Sequence, residues 1–186
     1  MKNFIKKILA VLTILFVTTV LNGCGDETPE ATLQAYDGGF FTIDLPSFWQ
    51  VITKSEFYSE IPDEAVIAFS DPESTDGFYI NVNIIEEKMN LDVPSIDFGR
   101  ANINLAGKNL TDYVKIQDEE IDLNGTPALV HIFTARLNPT EKEIRFIQLY
   151  TTKNKTGYTV TGAMPIDTLE EKRNETGAIV TSFRLK

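Results

Sequence analysis

Two residue types with wide chemical reach occur once each in this 186-residue chain, as Cys24 and His131. A thiol can accept an acyl group, ligate a metal or pair with a second thiol. With no second cysteine, an internal disulfide is excluded. A histidine acts as base or ligand only beside a partner. His131 alternates with Leu129 and Phe133 along a run from Ala128 to Leu137. That places it on an apolar face and predicts a core histidine with one hydrogen bond. No Ser-His-Asp set can be assembled from spacing alone. Asp71, Glu73, Asp76 and Gly77 superficially suggest a calcium loop. Glu73 and Thr75 occupy positions that need Asp or Asn, and no closing glutamate follows, so a solvated turn is expected. Asp118, Glu119, Glu120 and Asp122 form an acidic run. Acid–base chemistry needs two carboxylates held at a set separation in a cleft. Neighbours on a strand point to opposite faces, so a solvated edge is expected, protected by its charges from pairing with other chains. There is no glycine-rich phosphate loop, no metal-ligand cluster and no basic patch. No catalytic residue, metal or cofactor is expected.

Cys24 is the exception, because its surroundings specify a reaction. Lys2, Lys6 and Lys7 precede an apolar run from Ile8 to Leu21. A spanning helix needs about 20 such residues, and a shorter run behind basic residues is the pattern of a secretory signal. The run closes on Leu21-Asn22-Gly23-Cys24, which resembles the lipobox of bacterial lipoproteins. On that resemblance the Cys24 thiol takes a diacylglycerol, and a peptidase cuts between Gly23 and Cys24. Gly23 is small enough for the cleavage site. Asn22 is less usual there than Ala or Ser. Buried methylenes contribute ~0.8 kcal/mol each, so several acyl chains on one cysteine hold firmly. The reading places residues 1–23 in a signal peptide and the protein on the extracytoplasmic face of the cell membrane. The outer membrane is included if the organism has one.

Removing residues 1–23 removes three of the 17 lysines and arginines and none of the 27 carboxylates, leaving a net charge of −13. Such a domain is repelled by nucleic acid and by anionic lipid. The remaining length fits one domain, and a whole-chain apolar content of 42%, with ten of the 12 phenylalanines beyond residue 23, suffices for a core. A monomer is expected.

The elements follow from punctuation and period. Residues 24–37 are polar and carry Pro29, which reads as a lipidated cysteine and tether. The domain is expected over 38–186. Phe41, Ile43 and Leu45 alternate on a strand that Pro46 ends. Ser47 to Val51 turns back with the lone Trp49. Ala65 to Phe69 is a short strand, and Phe78, Ile80, Val82 and Ile84 alternate on another. Ile96, Gly99, Ile103, Ala106 and Leu110 recur at three and four, giving a helix with Pro94 in its first turn and Asp92 or Ser95 as cap. Strands over 113–123, 127–137, 143–153 and 158–164 are joined by turns such as Asn124-Gly125, so they are antiparallel neighbours. Asp167 and Glu170 resemble a capping box for a last helix, whose inner side is Leu169, Thr176, Val180 and Phe183. Leu129–Ile132 and Ile144–Leu149 are apolar on both faces, so both faces of the sheet need cover. The expected fold is α+β, an antiparallel sheet with helices on both faces. Four N-x-T triplets, at Asn109, Asn124, Asn154 and Asn174, are chance products of an Asn- and Thr-rich chain beside a bacterial signal.

Phe41-x-Ile43-x-x-Pro46-x-x-Trp49 opens the domain. It closes with Gly125-x-Pro127-Ala128, strands bearing Tyr150 and Tyr158, and Ser182-Phe183-Arg184 after a helix. Over residues 38–186 this pattern resembles the PsbP-like superfamily, named for an extrinsic lumenal protein of photosystem II. The resemblance implies an α/β/α sandwich and an accessory or binding role without catalysis. Bacterial members of this type are often lipoproteins. The photosystem role does not transfer, nor do the metal-binding histidines proposed for plant members, since this chain has a single histidine.

Two functions stay in view. One is a non-catalytic binding or accessory module of the cell envelope with a protein partner. The alternative is an envelope hydrolase or small-ligand sensor whose site assembles only in three dimensions, and a deep pocket with convergent polar groups would favour it.

Overall fold

A computed structural model describes residues 33–57, 63–74 and 78–186. Gly23, Cys24 and the signal segment lie outside these residues, as do Thr75, Asp76 and Gly77. In chain order the elements are β1 (Leu33–Asp37), β2 (Phe41–Pro46), β3 (Gln50–Thr53), β4 (Ala65–Ser70), β5 (Asn81–Lys88) and α1 (Ser95–Asn109). They continue with β6 (Thr111–Asp122), β7 (Pro127–Arg136), β8 (Ile144–Lys153), β9 (Thr156–Pro165), α2 (Glu170–Thr181) and β10 (Arg184–Leu185). The result is a mixed α+β fold with two antiparallel sheets and two α-helices among the described residues.

The large sheet has seven strands in the order β3-β4-β5-β9-β8-β7-β6. The expected meander β6 to β9 forms with each strand beside its predecessor. At Asn124-Gly125 both residues take positive φ, 57° and 90°, the twist that a tight hairpin needs. Asn154 and Lys155 repeat it at 52° and 57° without a glycine.

Strand alternation sorts the buried side chains to two sides. Gly99 of α1 sits so close to Leu129 and Tyr150 that an added Cβ would meet them at 2.8 and 3.1 Å. Across the pleat, Gly162 of β9 meets Thr176 and Val180 of α2 at 2.7 and 3.1 Å in the same sense. On α2's side, Val82, Ile84, Val130, Leu149 and Val160 join Phe41, Ile43, Leu45 and Phe183 in the main core.

The last four residues expose what the sequence reading missed. Phe41, Ile43 and Leu45 do share a buried face, but their strand belongs to a second sheet, β1-β2-β10. Residues 33–37, expected as the end of the tether, form β1 instead. Their backbone pairs with β2 from Leu33↔Pro46 to Asp37↔Thr42, and the Tyr36 ring packs on Phe69 at 5.2 Å. Phe183 lies beyond the end of α2 and stacks on Phe41 at 5.5 Å. The Ser182 hydroxyl, between them in sequence, accepts from the Asp44 amide at 2.8 Å. The expected caps are absent. Neither helix carries a side-chain cap. Asp92 accepts from the Lys155 amide, and the Ser95 hydroxyl accepts from the Thr152 amide. Each is thus engaged by the β8–β9 hairpin instead.

Candidate functional site

The row of residues around His131 is set by strand register. Asp118 of β6 pairs with His131 of β7, His131 with Gln148 of β8, Gln148 with Thr161 of β9, and Thr161 with Asn83 of β5. Five polar side chains therefore cross five strands in one line, on the side that meets α1. His131 is 0% exposed, and Gln148, Thr161 and Asn83 are buried. The sequence reading had Asp118 and His131 in separate roles, and the sheet brings them together.

His131 makes two side-chain hydrogen bonds, not one. Its Nδ1 lies 2.5 Å from Asp118 Oδ1, and its Nε2 lies 2.8 Å from Tyr113 Oη. A carboxylate only accepts, so Nδ1 carries the proton, and in the neutral ring Nε2 accepts from the Tyr113 hydroxyl. Two irregularities in the β6–β7 register, after Thr111 and after Lys115, accompany the turn of Tyr113 onto His131 and Phe133. Phe133 stacks on His131 at 4.8 Å and on Phe146 at 4.8 Å, closing the ring in.

Burial pushes the His131 pKa below its ordinary value, against the hydrogen bond and charge of Asp118. Burial also raises the Tyr113 phenol, and the Asp118 charge adds to it. For Asp118 burial works upward, but hydrogen bonds from His131 and from Lys115, at 3.0 Å, outweigh it and leave the carboxyl low. An Asp-His-hydroxyl chain has the order of a relay that activates a nucleophile. Here the hydroxyl is a phenol that its surroundings make less acidic, on an imidazole sealed from solvent. What the arrangement does is fasten β6, an edge strand, to the sheet.

Next along the row, Tyr150 donates to Gln148 Oε1, and Gln148 Nε2 donates to Thr161 Oγ1 at 3.1 Å. Burial pushes the Tyr150 phenol far up. Beyond Thr161, Asn83 Nδ2 reaches Asn81 Oδ1 at 3.5 Å, while Asn83 Oδ1 has no hydrogen-bond partner among the described residues.

The other candidates are placed as follows. Glu119, Glu120 and Asp122 lie on exposed positions of β6, the edge expected for them, and Glu120 pairs with Arg100 of α1. Asp71 differs from the expected solvated turn. It is 1% exposed, accepts from the Glu73 amide, and pairs with Lys172 at 3.0 Å. Among the described residues no group of three His, Cys, Asp or Glu is placed to hold a metal.

No family model and no curated protein matches the sequence. Solved structures do match in shape. The Synechocystis PsbP protein, CyanoP, superimposes with a TM-score of 0.60 at 16% identity, over 89% of this chain and 99% of that one. The chain has the PsbP-like fold. LpqN of Mycobacterium tuberculosis shares this fold at a TM-score of 0.58 and 11% identity, over 84% and 92% of the two chains. The Ran-binding protein Mog1p of Saccharomyces cerevisiae does so at 0.54 and 11%, over 83% and 96%. At these identities the likeness is one of fold. The PsbP-like fold here thus carries a His131 cluster that closes on itself.

Proposed function

We propose that this chain is a lipid-anchored extracytoplasmic protein that works as a non-catalytic binding or accessory module of the cell envelope. Leu21-Asn22-Gly23-Cys24 behind a basic and apolar leader carries the location. Acylation of Cys24 and cleavage after Gly23 belong to this proposal. The fold neighbour LpqN, described as involved in cell envelope biogenesis, supports the setting. For the non-catalytic part, the supporting observation is the closed Asp118–His131–Tyr113 cluster, which spends the chain's only histidine on internal hydrogen bonds. A three-layer α/β/α reading, with α1 as one layer and α2 with the small sheet as the other, fits the same proposal. Tethering raises the effective concentration for a neighbouring protein, and the charge of −13 suits a neutral or basic protein surface.

Metabolic labelling with a palmitate analogue tests the anchor. The wild-type chain is expected to take label and the Cys24→Ala chain to lose it and leave the membrane fraction. Label kept by the variant would remove the proposal. Whole-cell crosslinking is then expected to recover one recurrent envelope partner.

A further inference from the structure

We propose that the end of the domain bearing Leu33, Ile166 and Leu169 rests on the bilayer, against zwitterionic lipid. The proposal depends on the anchor reading above and adds an orientation to it.

Register and contacts put these three side chains at one end. Leu33 opens β1 and pairs with Pro46, the last residue of β2. Phe48 follows two residues later, and Lys172 Nζ lies 5.1 Å from the centre of its ring. Lys172 is in the first turn of α2, which begins directly after Leu169, while Ile166 follows the end of β9. Leu33, Ile166 and Leu169 are 49%, 43% and 74% exposed, Leu169 lying just before the first residue of α2 and not on the inner side expected for it. Single exposed leucines are ordinary. Their position relative to the anchor is what gives these three meaning.

Nine residue steps separate Cys24 from Leu33. Fully extended they reach about 30 Å, and as a flexible coil about 16 Å. A domain of this length has a radius of gyration of about 15 Å. The link is therefore no longer than the domain is wide, and the end where the chain enters is held toward the lipid. Leu91, 73% exposed, marks the opposite end. Its neighbour Asp92 accepts from the Lys155 amide at the β8–β9 turn, whereas Pro165, just before Ile166, pairs with Ile144 at the far end of that hairpin.

Charge selects the lipid. Glu73, Asp167, Glu170 and Glu171 are exposed at the proposed end. Lys172 is taken up by Asp71 and Glu175, and Arg173 donates to the Thr168 carbonyl. Free carboxylates around apolar side chains oppose an anionic surface and tolerate a zwitterionic one.

The test uses residues 24–186, coupled through the Cys24 thiol to a maleimide-headgroup lipid in phosphatidylcholine vesicles containing brominated phosphatidylcholine. Leu169→Trp and Leu91→Trp are compared, with buried Trp49 as the same background in both. The Leu169→Trp chain is expected to emit further to the blue and to lose fluorescence to the bromines. The Leu91→Trp chain is expected to do neither. Replacing part of the lipid by phosphatidylglycerol is expected to weaken the quenching. Equal quenching at both positions, or none at either, overturns the orientation. Chemical coupling supplies the anchor here, so this outcome is independent of the labelling experiment, which alone decides whether the cell acylates Cys24.

Discussion

On the side of the large sheet that meets α2 and the small sheet, the buried centre is Val130, Leu149, Val160, Ile84 and Val82, against Phe41, Ile43 and Phe183. On the side that meets α1, the centre is His131, Gln148, Thr161 and Asn83, with apolar groups to either end around Phe133 and Leu129. The same strands build both. The first side is held by area and shape, which are non-directional. The second is held by hydrogen bonds whose partners must stay in register, because a buried polar group left unpaired costs more than a made bond gains. A slip of one residue would send the whole row to the wrong face. The apolar side is therefore expected to carry more of the stability, and the polar row to hold the register of β5 to β9.

Removing a large side chain from the apolar side is the strongest way to break this comparison. Phe183 is fully buried and stacks on Phe41. Phe183→Ala is expected to cost about 3–5 kcal/mol, read as a lower urea midpoint. A cost near that of a surface substitution would mean that the small sheet is not part of the main core.

How much of this was legible in the sequence differs between the two sides. On the apolar side, the buried face of Phe41, Ile43 and Leu45 was legible by alternation, and β7 and β8 by runs that are apolar on both faces. The second sheet was not, because β1 carries only one partly buried side chain, Tyr36, and its pairing with β2 is a backbone matter. The caps failed for a related reason: Asp92 and Ser95 had tertiary partners that compete with the helix end. The polar row left a trace. His131 within LVHIF and Gln148 within IRFIQLY are single polar residues at inward positions of apolar strands. What a lone sequence could not give is register, and only register shows that Asp118, His131, Gln148 and Thr161 stand side by side.

A smaller effect is expected from the middle of the row. Gln148→Leu keeps the volume and removes the acceptor of the Tyr150 hydroxyl and the donor to Thr161. Leaving those groups unpaired is expected to cost about 1–3 kcal/mol. Adding Tyr150→Phe to the same chain is expected to recover part of that loss, since the orphaned hydroxyl is then gone. If the double variant is simply the sum of the two singles, the row is not a connected network.

The smallest and most specific effect is expected at His131. Its folded pKa lies below its ordinary value of 6.5, first because burial disfavours the imidazolium. The unfolded chain takes up its proton near 6.5, while the folded chain resists. Stability associated with the neutral ring is therefore complete above about pH 6.5 and is lost as pH falls from there through the folded pKa. The groups facing the ring do not reverse this. Tyr113 and Tyr150 are both shifted upward and stay neutral. Asp118 is shifted below 3.8 and stays charged until more acidic conditions. The charge of Lys115 disfavours the imidazolium further. From α1, Ala106 belongs to the apolar cluster that contains Phe133, and it does not titrate. The urea midpoint of the wild-type chain is expected to drop between about pH 7.5 and pH 5, the range in which histidine is the side chain that titrates. In His131→Gln, which keeps hydrogen-bonding groups without a titratable one, that drop is expected to shrink whatever the variant's absolute stability. An equal drop in both chains would mean that His131 is not the group that couples the polar side of the sheet to pH.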